Sequence, residues 1–228
     1  MESGNPLLDE YVLGLAAAVR NRPRVCFLPS ASGDADHYIV RFYRAFSPAR
    51  CEPSHVSLFR RECGGVTEFR AHLLAQDLIY VGGGSVISLL GVWRAHGLDE
   101  ILRECWEAGI LLCGLSAGSL CWFTEGLTAF HGSPSPVHGL GMLPGSNAVH
   151  YDGERRAAYR AAVAGGMRPG YGVQDGAGLH FLGTELAQVV ASRPAARAYR
   201  VEAIGGEVLE TPLESRYLGA TAPEPALA

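Results

Sequence analysis

The chain has 228 residues, 48% of them hydrophobic and 18% charged, and carries a formal net charge of −4. That length and apolar content suffice for one large core, and the charges are scattered in both signs without a basic stripe, which argues against nucleic acid and anionic membrane surfaces as partners. No apolar run reaches the roughly 20 residues of a bilayer span, and the opening MESGNPLLDE lacks the basic start and apolar core of a signal peptide, so the expected location is the cytoplasm.

Leu7, Tyr11, Leu15 and Val19 recur every four residues behind Asn5-Pro6, which predicts an opening amphipathic helix with Asn5 as its cap. The run Val25-Cys26-Phe27-Leu28-Pro29 predicts a buried strand, followed by a loop over 30–34 and a helix over 37–46. Strands are expected over 54–58 and 77–81, the second running straight into Gly82-Gly83-Gly84. Helices follow over 86–95 and 98–108, and a further apolar run over 110–113 ends at Gly114-Leu115-Ser116. Strands alternating with helices imply βαβ units and a mostly parallel sheet covered on both faces.

A short helical segment is expected over 119–123, then a loop-rich surface connection through 132–136 and 139–145, the edge of a strand at Asn147-Ala148-Val149 and a helix over 155–164. From Tyr171 onward short segments such as 178–181 and 188–191 predict an antiparallel extension of the sheet. The chain reads as a single domain, 1–228, whose small, Pro-rich tail over 220–228 is expected to be disordered. Cys26, Cys51, Cys63, Cys105, Cys113 and Cys121 stand singly and read as buried thiols rather than a disulfide frame or a zinc site.

Gly114-Leu115-Ser116-Ala117-Gly118 fits G-x-S-x-G between an apolar strand and a helical segment. A serine on so sharp a turn needs small neighbours, because strand and helix approach closely and the hydroxyl must project above the sheet. The N-terminus of the following helix favours developing negative charge. A serine hydroxyl is a weak nucleophile without a base and an orienting group. His150, at the strand edge before the polar turn Tyr151-Asp152-Gly153, is the favoured base; His131 and His138 lie in the loop-rich stretch, and His180 is expected to face out of a strand. Asp175, in Val173-Gln174-Asp175-Gly176, is favoured as the third member, although a lone Asp-Gly is more often an ordinary turn. Val81-Gly82-Gly83-Gly84-Ser85 has no P-loop lysine and no G-x-G-x-x-G spacing. Its alternative reading is an oxyanion hole, with the N–H of Gly84 joining that of Ala117.

Together DLIYVGGGSVISLL, GLSAGSLCWF, GLGMLPGSNAVHYD and GYGVQDGAGLHF resemble the dipeptidase E family of serine peptidases, across about residues 5–201. The resemblance implies a Rossmann-like three-layer α/β/α sandwich of the class I glutamine amidotransferase kind, with serine where the amidotransferases carry cysteine. It assigns Ser116 as nucleophile, His150 and Asp175 as its partners, Gly84 and Ala117 as oxyanion donors, and Arg155 or Arg156, with Arg155 favoured, as the holder of an acidic substrate side chain. It also implies a homodimer. The sequence departs from the family in having Val149 where proline is usual and Asp175 where Glu is usual, and in opening on a helix without the family's first strand and glycine turn; a missing strand would expose a sheet edge unless something else covers it.

The expected activity is hydrolysis of short peptides, in particular dipeptides with N-terminal Asp, through a Ser-His-Asp triad and an acyl-enzyme, with no cofactor and no metal. The alternatives are a serine hydrolase or carboxypeptidase of different peptide or amide specificity, and a non-catalytic binding module of the same fold. Serine at position 116 argues against a glutamine amidotransferase.

Overall fold

The computed structural model describes residues 1–2, 4–59, 66–130 and 132–219. Cys63, His131 and the 220–228 tail lie outside the described residues. The first half alternates strand and helix: α1 (Leu7–Ala17), β1 (Arg24–Leu28), α2 (Asp36–Ala45), β2 (Glu52–His55), α3 (Val66–Leu74), β3 (Leu78–Val81), α4 (Val86–His96), α5 (Leu98–Glu107) and β4 (Leu111–Gly114). Its strands pair in parallel in the order β2-β1-β3-β4.

The period-2 geometry of a strand sends successive side chains to opposite faces, and here both faces are apolar, so each recruits its own helices. Val25, Phe27, Leu78 and Tyr80 pack with residues of α1 and α2, where Phe27 stacks on Phe42 at 4.9 Å between ring centroids. Cys26, Leu28, Ile79 and Val81 pack on the other face with α3, α4 and α5. The sheet is therefore the middle of three layers. Strand 2 begins and ends earlier than the 54–58 expected: past His55 the chain leaves the ladder, Val56 giving a last bond to the Phe27 carbonyl at 3.0 Å. Asn5 does not cap α1. Its amide reaches across to the carbonyl and hydroxyl of Ser192, both at 3.2 Å, and Pro6 occupies the cap position.

The second half corrects the sequence reading over 119–145. After the one-turn α6 (Ala117–Leu120) the chain enters β5 (Phe123–Thr128), β6 (Ser135–His138) and β7 (Leu143–Val149), so the expected helix over 119–123 is cut short and strands enter the expected loop-rich stretch at 135–136 and 143–145. Glycine and proline spacing hid these strands, which take their stability from pairing with sequence-distant neighbours rather than from local propensity. They join α7 (Gly153–Ala164), β8 (Gly170–Val173), β11 (Ala198–Ile204) and β12 (Glu207–Pro212), with strand order β12-β11-β8-β7-β5-β6. A third sheet, β13-β10-β9, is built from β9 (Ala177–Leu182), β10 (Glu185–Ala191) and β13 (Ser215–Tyr217).

β4 ends the parallel sheet with half-buried residues where β3 is fully buried, and no strand pairs with its outer side among the described residues. No helix among the described residues is long and apolar enough to cross a membrane.

One polar knot fastens α7 to β12. Glu210 accepts from Arg156 at 3.0 Å and Arg160 at 2.9 Å, and the Arg156 guanidinium lies over the rings of Tyr199 and Tyr151 at 5.0 and 5.7 Å. Burial alone would raise the Glu210 carboxyl, but these guanidinium bonds outweigh it and hold it below its ordinary value of 4.5. A carboxylate depressed in the folded state stabilises above its unfolded value and loses that contribution as pH falls through the folded value. Glu210→Gln should lower the unfolding free energy by about 1–3 kcal/mol at neutral pH. Urea denaturation should show the gap to wild type closing on acidification below the ordinary carboxylate value.

Candidate active site

The first four residue groups of interest all follow the C-terminal ends of parallel strands, where open α/β sheets gather their loops: Gly82-Gly83-Gly84 after β3, Ser116 after β4, His150 after β7 and Asp175 after β8. Ser116 takes φ 53° and ψ −114°, a left-handed conformation costing a non-glycine residue about 1–3 kcal/mol. The turn is held by backbone contacts no side chain could enter. A Cβ on Gly118 would lie 2.4 Å from the Val81 carbonyl oxygen, and one on Gly114 would lie 2.2 Å from that of Gly118. The strand-turn-helix at Ser116 is thus pressed directly onto the neighbouring strand.

The parallel register of β7 and β8 pairs Val149 with Val173, and just beyond that pair His150, one residue on, meets Asp175, two residues on. His150 Nδ1 lies 2.6 Å from Asp175 Oδ1, and His150 Nε2 lies 3.1 Å from Ser116 Oγ. The structure brings these three together, and the aspartate spans the distance although it is one methylene shorter than Glu. His150 also takes a positive φ, 53°. The chain beyond it is fixed by Tyr151, fully buried, whose N–H donates to the Val173 carbonyl at 3.0 Å and whose ring occupies the space a side chain on Gly172 would fill. The site is open: 42% of the His150 side chain and 62% of that of Asp175 are exposed.

The 82–84 loop packs on the elbow, since a Cβ on Gly83 would meet Leu115 at 2.8 Å and Ser116 at 3.3 Å. Gly84, at φ 140°, is pinned on the other side, a Cβ there falling 2.1 Å from the Ala31 carbonyl oxygen. Among the described residues the N–H groups of Gly84 and Ala117 have no acceptor, so both remain available to a ligand oxygen. Because α6 is a single turn, negative charge at Ser116 would rest on such donors rather than on a helix macrodipole. The neighbouring thiols are poor competitors: burial pushes Cys113 and Cys121 far above the ordinary thiol range, leaving both neutral.

The two arginines part company. Arg156 is committed to Glu210, whereas Arg155, half-buried in the first turn of α7, has no hydrogen bond or ion pair among the described residues. Neither lines the cleft of about 1210 Å³ that contains Ser116, His150 and Asp175. That cleft runs between the edges of β4 and β9, with α1 along it. His180 was expected to face out of its strand; it turns instead into the cleft wall, its Nδ1 2.7 Å from the Tyr11 hydroxyl, and burial pushes its imidazole below the ordinary value. His138 is exposed on β6. Sequence reading missed Trp122 in the cleft wall and the brace of Tyr151, Arg156 and Glu210 behind His150. Only the adjacency of Tyr151 to His150 hinted at the latter, because Glu210 is distant in the chain.

The chain matches the model of peptidase family S51 over residues 1–189. It is 46% identical over 222 residues to peptidase YgaJ of Bacillus subtilis (strain 168), itself uncharacterized, covering 96% of this chain and 94% of the relative. A crystal structure of a peptidase from an acI-B1 actinobacterium superposes with a TM-score of 0.65 at 18% identity, covering 91% of this chain and 89% of the other, a likeness of fold.

The tightness of the elbow is testable by a single methyl group. Gly118→Ala forces either β3 or α6 to move, so it should destabilise the protein by about 1–3 kcal/mol. It should also reduce hydrolysis in the fraction that remains folded. Urea denaturation and activity normalised to folded protein measure the two effects separately.

Proposed function

The chain belongs to peptidase family S51, and from that membership we propose that it is a serine peptidase whose nucleophile is Ser116. The observation that carries this reading is the single imidazole of His150 within hydrogen-bond reach of both Ser116 and Asp175. In the proposed reaction His150 Nε2 takes the Ser116 proton as Oγ adds to the scissile carbonyl carbon. The N–H groups of Gly84 and Ala117 receive the oxyanion. Collapse of the adduct breaks the C–N bond, the leaving amine taking the proton from His150, and Ser116 holds the acyl group as an ester. Water, deprotonated by His150, then adds to the ester and releases the acid while Ser116 regains its proton. Asp175 orients the imidazole and offsets its transient positive charge.

The proposed substrates are dipeptides with N-terminal Asp. Arg155 supports this reading as a guanidinium with no hydrogen bond or ion pair among the described residues, five residues past His150; because it stands outside the cleft, a substrate carboxylate pairing with it would extend beyond the cleft lining. The exposure of His150 and Asp175 favours a second reading, hydrolysis of other and longer peptides, because nothing among the described residues encloses the catalytic groups.

Hydrolysis of Asp-Leu, Leu-Leu, acetyl-Asp-Leu and a longer Asp-initiated peptide separates these readings. Ser116→Ala should lower kcat by roughly 10⁴-fold or more, and His150→Ala by a comparable factor. Under the dipeptidase reading only Asp-Leu is cleaved, and Arg155→Ala reduces kcat/KM for it by about 10- to 100-fold, the equivalent of one lost charge-assisted bond. Arg156→Ala should instead lower stability. Cleavage of the longer peptide by wild type would discard the dipeptide restriction, and activity unaffected by Ser116→Ala would discard the mechanism.

A further inference from the structure

Ser116 hangs from β4, in the parallel sheet, whereas His150 hangs from β7, in the six-stranded sheet, and no backbone ladder joins these two strands. The 3.1 Å between Ser116 Oγ and His150 Nε2 is therefore set by whatever holds α6 against β7. The backbone route runs through β5, which pairs with β7 from Phe123 opposite Leu143 onward. The ladder continues to Leu127 opposite Ala148, but its end next to α6, Phe123 opposite Leu143, is seven residues, roughly 20 Å of strand, from His150.

A side-chain bond lies much nearer. Asn147 Nδ2 donates to Ser119 Oγ at 2.9 Å. Asn147 is three residues before His150 on β7, and Ser119 is three residues after Ser116 on α6, so the bond crosses the seam about 10 Å of strand from the imidazole. Asn147 is fully buried, yet its Oδ1 has no hydrogen-bond partner. An orphaned buried carbonyl oxygen is a net loss to the fold, so stability alone would be served as well by an apolar residue of similar shape.

We propose that Asn147 and Ser119 are positioning residues, whose amide–hydroxyl bond sets the alignment of His150 with Ser116. This inference rests on the serine peptidase reading above. Misalignment by a fraction of an ångström slows reaction, and at Asn147, which does not line the cleft, a substitution leaves the walls that would hold a peptide in place. Asn147→Leu should leave the urea midpoint equal to or above that of wild type, leave KM for the cleaved peptide within about twofold, and lower kcat by roughly 10- to 100-fold. Ser119→Ala should lower kcat similarly, and the double variant should be no slower than the slower single variant, as expected for two ends of one bond.

The reading and the inference are separated by labelling with an aryl fluorophosphonate, which reacts with an activated serine and needs no peptide. Wild type labelled on Ser116, with Asn147→Leu and Ser119→Ala labelled roughly 10- to 100-fold more slowly while folded, is the expected result. Equal labelling rates in folded variants, or single-variant losses that multiply in the double variant, would overturn the positioning role and leave the serine peptidase standing. Wild type that is not labelled at Ser116 would overturn both. If Asn147→Leu does not fold, Ser119→Ala, altering a half-buried hydroxyl in the cleft wall, decides the matter by itself.

Discussion

The Val81 carbonyl lies where a Cβ on Gly118 would come within 2.4 Å, and the Gly118 carbonyl lies within 2.2 Å of where one on Gly114 would be. This stack of three backbones, strand against turn against helix, leaves the chain a single route from β4 into α6. The positive φ of Ser116 follows from it, since only a sharp reversal lets the helix start so close above the strand that precedes it. Rigid neighbours on both sides support that strain: β3 is fully buried, and α4 packs against the same apolar face.

The same logic recurs at His150 with different materials. There a positive φ is sustained by a buried Tyr151 ring over Gly172 and by the bond from Tyr151 to the Val173 carbonyl. Behind it the Glu210 carboxylate gathers two guanidinium groups of α7. The two halves of the site belong to different sheets and meet where α6 packs on β7 within one apolar cluster. Under the proposed positioning role, a small displacement of α6 against β7 would change the Ser116–His150 distance, which gives weight to a side-chain bond that bridges the two.

Exposure shapes the chemistry as well. With much of the Asp175 side chain in solvent, its charge acts on His150 through a high effective dielectric, so orientation through the 2.6 Å bond contributes more than field strength. The N–H groups proposed as oxyanion donors are better protected, since Ala117 is buried and the 82–84 loop is clamped between Ala31 and the elbow. Preorganised donors of this kind need not reorient as charge develops.

Much of this was legible in the sequence where the signal is local. The alternation of apolar runs and amphipathic segments through residue 114 yields the three-layer arrangement, because a strand apolar on both faces must be covered twice. The G-x-S-x-G spacing marks Ser116, since the glycines answer to a steric requirement that acts within five residues. The strands over 123–145 were misread, and only the end of β7 at 147–149 was expected, as their stability comes from partners far along the chain: β5 lies between β6 and β7, and β7 meets β8 only after a full helix. Asn5 looked like a helix cap because local rules place it there, yet a tertiary partner, Ser192, takes its amide. The sequence by itself determined which residues could supply a nucleophile, a base and an acid, because those capacities belong to side-chain chemistry. Only the tertiary structure decided that Ser116, His150 and Asp175 meet, that Arg156 is consumed by Glu210 while Arg155 has no such partner among the described residues, and that Asn147 reaches Ser119, because each depends on the register and packing of elements far apart in the chain.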